Sequence, residues 1–175
     1  MSNKLKIRKS RPEEKAAIES IYPQAFPDED LIPLVRDLLN DSAVATSLVG
    51  TIDAQIVGHV IFTQCNVVGD SVNATLLGPL VVAPAWHRQG IGSAIIRAGF
   101  RELESAGIGR VFVLGDPAYY GRFGFQPESL VEPPYPLPPT WDGAWQSRGL
   151  GETTTPCSGT LSVPPQWLKP ALWAP

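Results

Sequence analysis

Arg88-Gln89-Gly90-Ile91-Gly92-Ser93 is a short run whose residue types suit anion binding. Its glycines stand where a helical pattern opens, so main-chain N–H groups are left uncovered at a helix N-terminus carrying roughly half a positive charge. A phosphate or pyrophosphate fits such a place. No Gly-Lys-Ser/Thr follows, and only Gly90 and Gly92 answer to a G-x-G-x-x-G fingerprint, so neither nucleotide loop is complete. Glycine serving turn geometry alone is the competing reading. Other reactive groups are sparse. His59 is a lone histidine in a strand-like run, a setting that is usually structural. Asp28-Glu29-Asp30 precede a helix, where negative charge is favoured; they either cap that helix or form a rim that attracts a cationic acceptor. Cys65, Cys157 and two histidines offer no metal-ligand spacing, so no metal is expected.

The elements around the loop are legible. Leu76–Val82 is an apolar, β-branched run and predicts a buried strand, with Pro79 marking a bulge or a break in its pairing. After the loop, Ile91, Ile95, Ile96, Gly99, Phe100 and Leu103 form one apolar helix face, and Gly107 supplies the stop. Val111–Leu114 is the next strand. Strand, crossover helix and strand make a βαβ unit with parallel strands.

Upstream, Leu5–Arg8 predicts a first strand. Ser10-Arg11-Pro12-Glu13 predicts a helix start with Ser10 as N-cap, and Pro23 limits that helix. Leu31, Leu34, Val35, Leu38 and Leu39 recur at helical spacing. Ala43–Val49 and Gln55–Gln64 flank a turn at Gly50–Ala54, which predicts a hairpin, and Gly58 marks a bulge or close backbone approach. Downstream, Gly115-Asp116-Pro117 leads into a short helix, Ala118–Phe123. Eleven of the 18 prolines and four of the five tryptophans lie from Pro127 onward, which sets 127–175 apart as a Pro/Trp-rich extension of a single domain spanning 1–175. Val131–Pro139 predicts extended chain packed on the body, with an SH3-type ligand as the lesser option, and Cys157–Val163 a last strand.

A chain of 175 residues with 43% hydrophobic and 18% charged residues buries a real core. A net charge of −3 argues against a general nucleic-acid binder, and no apolar run reaches the length of a membrane span. The basic N-terminus lacks the apolar segment of a secretory signal, so a cytoplasmic protein with buried thiols is expected.

Leu80-Val81-Val82-x-Pro-x-x-His-Arg-Gln-Gly-Ile-Gly-Ser, then a helix, a strand and Tyr120-Gly-Arg-Phe-Gly-Phe125, together resemble the GNAT family of acyl-CoA-dependent N-acetyltransferases. The string from Gly115 to Phe125 is similar to its YhbS-like branch. The resemblance implies an α/β (α+β) fold: a mixed, mostly antiparallel sheet with a βαβ acetyl-CoA-binding unit and helices on both faces. It implies acetyl-CoA as co-substrate, a primary amine on a small molecule or peptide as acceptor, and direct attack in a ternary complex. The family's Q/R-x-x-G-x-G/A loop falls on His87, Arg88, Gln89, Gly90, Ile91 and Gly92, with His87 in place of Gln or Arg. Amides from Arg88 to Ser93 would hold the pyrophosphate. Leu80 and Val82 would pair with pantetheine, and an N–H near Leu80 or Val81 would polarise the thioester carbonyl. Tyr120 occupies the position of a tyrosine that protonates the departing thiolate, with packing as its alternative role; Tyr119 is a packing residue. The strand before the loop lacks a glutamate and position 113 is Val113 rather than asparagine. The base is therefore open among His59, Asp28, Glu29, a water chain and an amine that arrives neutral. The rival to an enzyme is a non-catalytic acyl-CoA-binding or interaction module. A homodimer is left open.

Overall fold

The computed structural model describes residues 4–141, 143–151 and 156–174. Within the Pro/Trp-rich stretch, positions 142, 152–155 and 175 thus lie outside the described residues. In chain order the elements are β1 (Lys6–Lys9), α1 (Lys15–Ala25), α2 (Ile32–Leu39), β2 (Ala45–Ile52), β3 (Gln55–Val68), β4 (Asn73–Val82), α3 (Ile91–Ser105), β5 (Arg110–Leu114), α4 (Pro117–Tyr120), β6 (Gln126–Pro127), β7 (Val131–Glu132), β8 (Trp145–Gly149) and β9 (Gly159–Ser162). Among the described residues nine strands form one mixed sheet in the order β1-β2-β3-β4-β5-β8-β6, and β9 pairs with β3 and β7. By contacts along the chain there are two compact units. One takes in the described residues of Met1–Phe62 and Gly78–Phe100, the other those of Thr63–Leu77 and Arg101–Pro175.

In the first unit β1 runs antiparallel to β2, from Lys6 opposite Thr51 to Lys9 opposite Leu48. The first helical turn begins one residue later than the sequence predicts. Arg11 holds the cap position and its N–H donates to Glu14 Oε1 (2.7 Å), while the Ser10 hydroxyl bonds Ser47 instead. Pro23 does not end α1, which continues to Ala25. The proline's missing N–H removes one ladder bond, and the helix ends two residues later. The β2–β3 turn is also tighter than expected. Asp53 and Ala54 both take left-handed φ (50° and 66°), the signature of a two-residue hairpin whose twist matches its strands, so β2 extends through Gly50 to Ile52. Gly58 and Gly99 let the first turns of α3 lie close to the sheet. A Cβ at Gly58 would come within 2.7 Å of Ile95 Cδ1, and one at Gly99 within 2.4 Å of the Phe62 ring. Ile18, Tyr22, Val35, Leu38, Ile61 and Ile95 are buried here.

In the second unit β4 and β5 are parallel, as the βαβ pattern requires, from Ala74 opposite Arg110 to Leu77 opposite Val113. That register stops just before Gly78-Pro79. Gly107 ends α3 with φ of 81°. The C-terminal residues supply much of this unit. β8 pairs antiparallel with β5, from Arg110 opposite Gly149 to Leu114 opposite Trp145. Trp145 stacks on Phe112 (ring centroids 5.5 Å apart) and meets Trp173 edge-on at 5.8 Å. All three buried indoles donate: Trp145 to Val131 O (2.8 Å), Trp167 to Thr63 Oγ1 (3.0 Å) and Trp173 to Trp167 O (3.0 Å). Buried indole N–H groups that find acceptors mark these rings as core. The predicted last strand is β9, and Val131 at the head of the proline-rich stretch pairs with Gly159. Both cysteines are buried free thiols.

Candidate active site

β4 ends at Val82, and Ala83 N–H donates to Val57 O (2.8 Å), tying the loop's first residue to β3. A 3-10 turn over Pro84–Trp86 follows. His87 Nε2 then donates to Val82 O at 2.7 Å, pinning the loop back onto the strand it left. This bond gives the imidazole a structural task at the position where the family pattern carries Gln or Arg. Arg88 and Gly90 both have left-handed φ, 62° and 77°. Such a conformation costs a side-chain-bearing residue like Arg88 and costs glycine little. The chain thereby turns directly into α3. The first ladder bond of α3 is Ala94 N–H to Gly90 O (3.0 Å), so the amides of Ile91, Gly92 and Ser93 precede the ladder. Arg88, Gln89 and Gly90 are exposed, Ser93 is half-buried, and Ile91 and Gly92 are buried. On β4, Leu80 and Val82 are half-buried while Val81 faces the core. All these residues belong to the first unit, and the loop is held by β4 at one end and α3 at the other.

Tyr120 belongs to the second unit. Asp116 caps α4, its carboxylate accepting from Ala118 N–H (2.9 Å), and so fixes where the helix begins. The Tyr120 ring sits edge-on to Tyr119 (5.0 Å) and Phe125 (5.8 Å). It also lies against the bare Cα of Gly115, where a Cβ would fall 2.4 Å from Cε2. Gly115 itself is held through its carbonyl, which accepts from Gln146 Nε2 (3.1 Å), and through its N–H to Ala144 O (3.0 Å). Sequence reading missed this seat for the tyrosine; its one signal was the glycine before Asp116-Pro117. Burial pushes the Tyr120 phenol well up from its usual pKa, and Tyr119 adds to the effect, so the group is a protonated donor at neutral pH. Tyr119 has a different setting: the Arg122 guanidinium lies 4.6 Å from its ring centroid.

The base candidates separate. His59 is fully buried, with Nδ1 2.7 Å from the Tyr22 hydroxyl and Nε2 2.8 Å from Ser47 Oγ. Burial lowers its pKa to about 3, so it stays neutral and both nitrogens are engaged. Among the described residues Tyr22 has no other partner for its hydroxyl, and a stranded buried donor costs ~1–3 kcal/mol. The phenol therefore donates to Nδ1, and Nε2–H donates to Ser47. An imidazole so occupied is a core linker rather than a base. Asp28, Glu29 and Asp30 are exposed, and no side chain caps α2 by a hydrogen bond. With Tyr22 and Phe26 they line a cavity of about 450 Å³ at the start of α2.

Residues 15–125 match the acetyltransferase (GNAT) family. This chain belongs to it. The GNAT assignment agrees with a sheet, a βαβ unit and a glycine turn built as described, and it makes the protein an acyl-CoA-dependent acetyltransferase. The chain is 34% identical over 140 residues to the uncharacterized N-acetyltransferase YjhQ of Escherichia coli K12, covering 76% of this chain and 77% of that one. Among solved GNAT structures it is similar to E. coli YhbS in complex with CoA, at TM-score 0.84 and 26% identity, covering 97% of this chain and 94% of the other. A GNAT acetyltransferase of Brucella melitensis in complex with acetyl-CoA aligns at TM-score 0.74 and 28% identity, over 95% of this chain and 99% of that one. Among the described residues no helix is long and apolar enough to cross a membrane.

Proposed function

We propose that this GNAT protein transfers an acetyl group from acetyl-CoA to a primary amine by direct attack in a ternary complex. The observation that carries the reading is the left-handed turn at Arg88 and Gly90, which leaves the amides of Ile91, Gly92 and Ser93 ahead of the α3 ladder. Amides from Arg88 to Ser93, aided by the helix dipole, bind the pyrophosphate of the co-substrate. The main chain of Leu80 and Val82 aligns the pantetheine arm, and an N–H near Leu80 or Val81 polarises the thioester carbonyl. The resident CoA and acetyl-CoA of the YhbS and Brucella structures support this choice of co-substrate.

The amine nitrogen forms the new bond to the acetyl carbon as the carbon–sulfur bond breaks. Tyr120 gives its phenolic proton to the departing thiolate, and the proton lost by the amine passes to water. The two cysteines are buried and take no acyl group; burial pushes the Cys65 thiol up to about 12. The acidic rim of Asp28, Glu29 and Asp30 attracts an ammonium-bearing small molecule or peptide.

The test is release of free CoA thiol from acetyl-CoA with a panel of primary amines, with the acetylated product identified by mass. Amine-dependent release with a stoichiometric N-acetyl product supports the reading. Tight CoA binding without transfer to any amine replaces it with a non-catalytic acyl-CoA-binding module.

A further inference from the structure

A second cavity, of about 460 Å³, lies away from the glycine turn, between the start of α1, the end of α2 and the start of β2. Its polar wall carries Lys9, Arg11 and Lys15 with the hydroxyls of Ser10, Thr46 and Ser47, and among the described residues no carboxylate lines it. Asp41 stands between two lining residues in the chain but is not itself part of the wall. Glu14 holds Arg8 through two bonds of 2.8 Å, and its carboxylate also accepts from the Arg11 N–H and shares in that residue's charge. Lys15 Nζ donates to the neutral amide oxygen of Asn40 (2.7 Å), a bond that leaves its charge in place. Its apolar surface is offered by exposed Pro12 and half-buried Leu39, with fully buried Ile18 and Leu38 behind them.

The buried relay behind this wall sets the polarity of its hydroxyls. Tyr22 donates to His59 Nδ1, and His59 Nε2–H donates to Ser47 Oγ, which lies 2.7 Å from Ser10 Oγ. Four donor hydrogens (Tyr22, His59, Ser47, Ser10) serve three links, and the buried end consumes its own. The surplus hydrogen therefore belongs to Ser10 or Ser47. Among the described residues neither hydroxyl has a further partner, and both line the cavity. The cations of Arg11 and Lys15, an outward hydroxyl donor and the apolar surface of Pro12 and Leu39 select one chemistry. We infer that this cavity is a second ligand site, for a small organic anion with a carboxylate or phosphate head held by Arg11, Lys15 and the Ser10–Ser47 pair, and an apolar body lying on Pro12 and Leu39. A volume of this size is in the range of small-molecule pockets, which bind by such a mix of apolar lining and a few placed polar groups.

Hexanoate and hexyl phosphate are the probes, titrated calorimetrically into the protein saturated with CoA, so that the glycine turn is occupied; hexanol is the uncharged control. At least one anion should bind saturably and hexanol far more weakly, and the tighter of the two anions names the head group. Arg11→Gln/Lys15→Gln, both at the surface, should weaken the anion by roughly tenfold or more, because charge-assisted bonds are lost. Ser47→Ala should weaken it by a smaller factor. The site is overturned if neither anion saturates, if hexanol binds as tightly as the anions, or if the double variant binds them as the wild type does.

Discussion

The bare Cα of Gly115 lies against the ring of Tyr120, so closely that a Cβ there would stand 2.4 Å from Cε2 and 2.9 Å from Cδ2. The ring is boxed on its other sides by Tyr119 and Phe125. Its position is thus set by a missing side chain as much as by present ones. Gly115→Ala should displace the ring and lower kcat, with a stability loss of ~1–3 kcal/mol from overpacking. In the Tyr120→Phe background the same change should cost little further rate. Additive losses of kcat in the double variant would separate Gly115 from the tyrosine's role.

Tyr120→Phe keeps the ring and removes the proton donor. kcat should fall by roughly 10- to 1,000-fold with acetyl-CoA affinity nearly unchanged, the lower end allowing for a substituting water. Tyr119→Phe should do much less. Steady-state and single-turnover rates check both, and a wild-type rate in Tyr120→Phe under rate-limiting chemistry would make the ring a packing residue.

At the glycine turn, Gly92→Glu adds bulk and negative charge where amides await an anion. The wild type should gain ~3 kcal/mol of stability from acetyl-CoA at a hundred times its Kd. The variant should show none of that gain. Because Gly92 is buried, the half-buried Ser93→Glu serves as a companion that perturbs packing less. Ligand-induced Tm shifts equal to wild type in both would remove the pyrophosphate from this turn.

The acidic rim is tested by kinetics. Asp28→Asn/Glu29→Gln/Asp30→Asn should raise KM for the amine and leave KM for acetyl-CoA alone. With no side-chain cap to lose at α2, its Tm should change little. An unchanged amine KM would return the three acids to a dipole role.

Two buried or paired groups give separate acid limbs of stability. His59 has a folded pKa lowered by burial to about 3 against 6.5 ordinarily. The unfolded chain takes up that proton first, so stability is complete above 6.5 and falls as pH drops toward about 3, by up to ~1.4 kcal/mol per pH unit. Glu14, held down to about 2 by its bonds to Arg8, adds a second loss only below about 4.5. Denaturant unfolding from pH 7 to 4.5 should therefore show a slope that His59→Gln removes and Glu14→Gln does not.

The glycine turn and its helix were legible because they are written locally. Left-handed φ at Gly90, the apolar spacing along α3 and the stop at Gly107 are each decided by a few adjacent residues. The hairpin, the parallel β4–β5 pair and the strand at Gly159–Ser162 were legible for the same reason. Local signals erred only by small margins, at the cap of the helical turn before α1, at Pro23 and at the width of the β2–β3 turn; at the cap a tertiary partner outbid propensity, and Ser10 left that position for Ser47.

Sequence alone determined which residues could bind an anion at a helix start and where a tyrosine followed the next strand. It did not determine what holds that tyrosine, nor that Trp145–Gly149 is a strand at all. That pentapeptide has no alternating pattern of its own. It becomes a strand because β5 offers an edge some thirty residues earlier in the chain and because Phe112 and Trp173 cover Trp145. The Tyr22–His59–Ser47–Ser10 relay is of the same kind, joined across 37 residues at two of its links. Only the folded chain decides such contacts, because their free energy depends on neighbours brought together by loop closure and burial, and no window of adjacent residues records them.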